Sequence, residues 1–112
     1  MPRAFGWFYD PGTLMQCVLE VKRRARVSVI IANPETHSTE VLVYGPLSQD
    51  LGCYRFLDLL HHMRRLGMER SMAHRYTEVV ARGGAVVCVQ DDRANPATWL
   101  SSYRARDLAL VP

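Results

Sequence analysis

The chain has 112 residues, 48% apolar and 22% charged, which fits one folded domain over 1–112 and excludes a disordered, collagen-like or disulfide-stapled polypeptide. Its 14 Lys and Arg stand against 11 Asp and Glu, a net charge of +3, and all the basic residues but Lys22 are Arg, spread in pairs rather than gathered in a stripe. The opening M-P-R-A-F-G-W-F-Y-D lacks the long apolar run of a secretory signal and no window reaches the ~18 apolar residues of a membrane span, so neither is expected, and three cysteines without a C-x-x-C predict a reducing cytoplasm as the compartment.

Residues 3–9 alternate loosely and are rich in aromatics (Phe5, Trp7, Phe8, Tyr9), which predicts a strand. Asp10-Pro11-Gly12-Thr13 reads as a turn into a helix whose stripe is Leu14, Cys17, Val18 and Val21, at i, i+3, i+4 and i+7. The β-branched run 27–32 predicts a second strand, closed by Asn33-Pro34. After a polar loop, Glu40 to Tyr44 form a short strand candidate that ends at Gly45-Pro46. A long helix is expected next, with Cys53, Phe56, Leu57, Leu60 and Met63 on one face and Gly67 as its stop. A further helix begins near Glu69 and buries Met72, Ala73, Tyr76, Val79 and Val80, with Gly83-Gly84 as its exit. Ala85 to Val89 are apolar on both faces, the mark of an interior strand. Asn95-Pro96 starts a short helix carrying Trp99, Leu100 and Tyr103, and Leu108 to Val111 make a closing strand.

The order β-α-β-(β)-α-α-β-α-β places the chain among α+β proteins. Two β-α-β units, over 3–32 and 85–111, predict the halves of a ferredoxin-like two-layer sandwich. Helical crossovers between strands favour parallel neighbours.

Residues 66–89, L-G-M-E-R-S-M-A-H-R-Y-T-E-V-V-A-R-G-G-A-V-V-C-V, carry a family resemblance. A Leu-Gly turn, a helix with Ala and Tyr at this spacing, Arg-Gly-Gly and a hydrophobic strand follow one another. In this the segment resembles the YflT-like general stress protein domain of bacteria (the heat-induced stress protein family). Leu66, Gly67, Ala73, Tyr76, Arg82, Gly83, Gly84, Val87 and Val89 match that pattern. The opening over 3–32 and the closing helix and strand over 95–111 are similar more loosely. The resemblance implies a stress-associated domain and brings no catalytic residues with it.

Few side chains group in a way that suggests chemistry. His61 and His62 point about 100° apart on a helix, and Asp58 adds at most one more ligand, so no metal site is expected. His74 sits four residues from both Arg70 and Glu78, the setting of an ordinary surface histidine. Asp91-Asp92 follows an interior strand, where a carboxylate pair could act as acid and base, yet consecutive acids there usually make a polar turn. No phosphate-cradling glycine motif and no nucleophile elbow occurs, and Arg82-Gly83-Gly84 reads as a helix exit. Cys17, Cys53 and Cys88 lie among apolar neighbours without a C-x-x-C, which predicts free thiols.

The expectation is therefore a non-enzymatic domain without cofactor or metal. It would act by self-association, as a homodimer, or by binding a protein partner. Phe5, Trp7, Val41 and Val43 are the candidate partner surface, because an open sheet leaves edges for a second copy to cover. A regulatory module for small molecules is the first alternative, on fold analogy. Weak nucleic-acid binding is the second, with Arg23, Arg24, Arg26, Arg64 and Arg65 as candidate anion contacts.

Overall fold

The computed structural model describes residues 2–37, 39–47, 52–91 and 95–111. Twelve elements follow in chain order, written here with the short 3-10 turns left unnumbered. They are β1 (Arg3–Phe8), α1 (Pro11–Val21), β2 (Arg26–Ala32), β3 (Glu40–Tyr44), β4 (Gly52–Arg55), α2 (Leu59–Arg65), α3 (Arg70–Ala81), β5 (Ala85–Gln90), α4 (Ala97–Ser102) and β6 (Arg106–Val111), with 3-10 turns at Pro34–Thr36 and Phe56–Asp58. The strands form one six-stranded sheet in the order β4-β3-β2-β5-β1-β6. Every neighbouring pair is antiparallel. The expected parallel neighbours do not occur, because each helical crossover skips a strand. α1 carries the chain from β1 to β2 with β5 between them, and α4 carries it from β5 to β6 with β1 between them. The two β-α-β units are thus interleaved, and β5 takes the interior place that its apolar run predicts.

Strand alternation divides the core in two. Val87 and Val89 of β5 pack with Ala4 and Phe8, and there they meet Cys17 and Val21 of α1 and Leu100 of α4. Val86 and Cys88 face the other way with Phe5, Ile30 and Val41, under Leu59 and Met63 of α2 and Ala73, Tyr76 and Val80 of α3. One helical layer therefore lies on each face of the sheet: α1 and α4 join the interleaved units, and α2 and α3 belong to the intervening segment.

Local signals explain most ends. Asp10 caps α1, its carboxylate accepting from the Thr13 amide at 3.1 Å and the Thr13 hydroxyl at 2.6 Å. These bonds, the hydroxyl foremost, hold the Asp10 carboxyl below its ordinary range. α2, α3 and α4 all close the same way. The residue after the cap turns left-handed, and the next amide reaches back to the carbonyl five residues earlier: Met68 to Met63 at 3.3 Å, Gly84 to Val79 at 2.8 Å and Ala105 to Leu100 at 3.1 Å. Gly67 and Gly83 serve α2 and α3 with φ of 100° and 90°, but α4 uses Arg104 at φ 61°.

The expected long helix over Cys53 to Met63 is not formed. Residues 52–55 are instead strand β4, with Cys53 exposed and paired opposite Leu42 of β3. The helix begins only at Leu59. Cys53, Phe56, Leu60 and Met63 fit a helical period by coincidence, and the free edge of β3 claims the first four residues. β3 joins the sheet through four pairings with β2, closing the long 33–39 connection with an Asn33 amide bond to Glu40 at 2.8 Å.

Candidate functional site

The expected partner surface is corrected by burial. Phe5 and Val41 are fully covered and Val43 nearly so, all three beneath the α2–α3 layer. They are core because β3 is not an edge and because helices cover that face of the sheet. Trp7 is half-buried, its ring edge-on to Tyr9 at 5.0 Å between centroids and the Arg106 guanidinium 5.6 Å over it.

The sheet ends in two edges, β4 and β6, and that of β6 is the more apolar. β1 pairs with one side of this strand, and no described strand pairs with the other. Its side chains alternate: Ala109 and Val111 enter the core, while Leu108 and Leu110 remain 39% and 55% exposed. The strand is bulged at Asp107, between the pairings of Phe5 and Trp7, where the backbone takes φ 55°. Two α3 residues brace that bulge. The Tyr76 hydroxyl donates to the Asp107 carbonyl, and the Arg75 guanidinium donates to both Asp107 carboxylate oxygens at 2.9 and 3.2 Å. No local pattern links Arg75 and Asp107, which are 32 residues apart, and only the packing of α3 against the sheet brings them together.

A second feature lies under α2. A cavity of about 200 Å³ opens between that helix and β2, β3 and β4. Ile30, Val43, Leu59, Met63 and Leu66 make its apolar wall. Tyr54, His62 and Arg65 bring it polar groups, with the Tyr54 and His62 rings 4.5 Å apart between centroids. Arg65 also lines a shallow depression on the outer side of α2 with His61, Arg64 and Arg70. Among the described residues, no acid lines either concavity.

The candidate anion contacts fall in separate places. Arg23 and Arg24 line a depression with Trp99 near α1, whereas Arg64 and Arg65 sit on α2 across the sheet. Arg26 is exposed at the start of β2. The basic pairs therefore do not form one patch. Asp91 is buried and accepts from the Trp99 indole at 2.8 Å, a packing role; Asp92 lies outside the described residues. Asp58 pairs with Arg55 at 3.0 Å, and among the described residues no three His, Cys, Asp or Glu side chains are grouped to hold a metal ion. Burial pushes the Cys17 thiol up to about 11 and the Cys88 thiol to about 12, and the exposed Cys53 thiol is raised by donating to Glu40 at 3.2 Å. All three are free thiols.

Comparison with family models, with curated proteins and with solved structures finds no match to this chain.

Proposed function

We propose that this chain is a non-enzymatic domain that works by association, joining a second copy of itself edge to edge along β6. The observation that carries this reading is the open β6 edge with Leu108 and Leu110 exposed beside it. An uncovered apolar edge invites another strand, and proteins rarely leave one bare. The opposite edge is less inviting: β4 has four residues and ends at Arg55, which is tied to Asp58. An isologous β6–β6 contact would bury both leucines of each copy and close with two-fold symmetry. The order β6-β1-β5-β2 of the interleaved units supports a ferredoxin-like core into which β3, β4, α2 and α3 are inserted. The stress-associated role rests on the resemblance over 66–89, and three free thiols suit a reducing cytoplasm. The arginine pairs on opposite sides of the sheet offer nucleic acid no single track.

Sedimentation equilibrium at micromolar concentration tests the reading. The expected species has twice the 12.8 kDa chain mass, and Leu108→Lys with Leu110→Lys returns it to 12.8 kDa without changing the far-UV spectrum. A wild-type chain that stays at 12.8 kDa up to about 100 µM overturns it.

A further inference from the structure

We infer that the cavity under α2 is a binding site for a small monocarboxylate whose body is an aromatic ring or a short branched aliphatic chain. The argument begins with volume. An apolar cavity of about 150 Å³ accommodates benzene, so the 200 Å³ here suits a body of about eight non-hydrogen atoms. Its wall is hydrocarbon and thioether, from Ile30, Val43, Leu59, Met63 and Leu66, which offers a polar body nothing to bond.

The charge comes from one side only. Arg65 lines the cavity, and its guanidinium has no hydrogen-bond or ion-pair partner among the described residues. His62 stands one turn before Leu66 on the same lining, and Tyr54 adds a phenol. Arg64, Arg70 and His61 flank Arg65 in the adjoining depression, and no acid stands among the described residues of its lining. A cation free to donate two parallel N–H bonds beside an apolar chamber matches a planar carboxylate on an apolar body. A neutral ligand of the same shape would leave that guanidinium unused.

The test is a titration of the full chain followed by amide ¹H–¹⁵N NMR, with 4-methylbenzoate as the acid and 4-methylbenzyl alcohol as its neutral match. The acid is expected to move the amides of Tyr54, Met63 and Leu66, and to bind about tenfold more tightly than the alcohol, the factor one charge-assisted contact supplies. Arg65→Gln changes an exposed side chain and leaves the fold intact; it is expected to bring the acid down to the affinity of the alcohol. Leu66→Phe fills the chamber and is expected to abolish binding of both. Equal affinity of acid and alcohol, an unchanged affinity in Arg65→Gln, or amide shifts that miss these three residues each overturn the inference. It stands apart from self-association: the Leu108→Lys, Leu110→Lys chain is expected to bind the acid with the wild-type affinity, whatever its mass in solution.

Discussion

Replacing Tyr76 with Phe removes one oxygen from the middle of the molecule and tests how β6 is held. The ring is fully buried, edge-on to Phe5 with centroids 6.3 Å apart, so the substitution leaves the packing unchanged. What disappears is the hydroxyl donor to the carbonyl of Asp107, a residue whose backbone sits at φ 55°. A left-handed conformation costs a non-glycine residue about 1–2 kcal/mol and persists only where its surroundings impose it. Leaving the carbonyl without its partner costs about 1–3 kcal/mol. At about 4 °C per kcal/mol for a domain near this size, Tyr76→Phe is expected to lower Tm by about 4–12 °C. Arg75 grips the same residue from a half-exposed position where solvent screens the ion pair, so Arg75→Ala should move Tm by less than half as much. Urea and thermal unfolding of the two variants, followed by tryptophan fluorescence, provide the comparison. If Tyr76→Phe costs no more than Arg75→Ala, the buried hydroxyl is not what holds the bulge and the reasoning fails.

Two further outcomes follow from the same geometry. Arg104→Gly at the exit of α4 is expected to raise stability by about 1 kcal/mol, since glycine adopts the φ of 61° freely; calorimetry showing a loss would mean the arginine side chain contributes there. Stability is also expected to fall above pH 9. The thiols of Cys17 and Cys88 have an ordinary value of 9.0 in the unfolded chain but about 11 and about 12 when buried, so the unfolded chain gives up its protons first. The contribution is intact below pH 9 and declines by up to about 1.4 kcal/mol per pH unit for each thiol between pH 9 and 10, above which the Tyr76 phenol, also raised by burial, adds to the loss. Denaturant midpoints between pH 8 and 10 read the slope of the thiols, and Cys17→Ala is expected to halve it; a slope that Cys17→Ala leaves untouched would assign the loss to other groups.

Elements whose cause is local were legible in the amino-acid order. The stripe of Leu14, Cys17 and Val21, the run 85–89 and the Gly83-Gly84 exit each express a period or a backbone demand that neighbours in sequence settle. β4 was not legible, because Gly52 to Arg55 become a strand only by pairing with β3, and their spacing equally suits a helix. The open edge shows the limit most clearly. Leu108 and Leu110 alternate as a strand should, but whether they face a core, a solvent or a partner depends on the sheet order, which no local pattern encodes. The cavity is hidden for the same reason: Ile30, Tyr54 and Arg65 come from three separate elements, and a void has no residues of its own.

The interleaving of the two β-α-β units has a consequence for biosynthesis. β1 leaves the ribosome well before both strands that flank it, since β5 and β6 begin only at Ala85 and Arg106. A nascent chain arrested before Ala85 holds β2, β3 and β4 as a possible meander but leaves Phe5 and Phe8 with no strand beside them. Closure of the sheet is therefore deferred until β5 and β6 have been made, and a long loop must be closed before its contacts stabilise anything. Until then the aromatic segment of β1 is exposed hydrophobic chain, the stage at which a chaperone would find it.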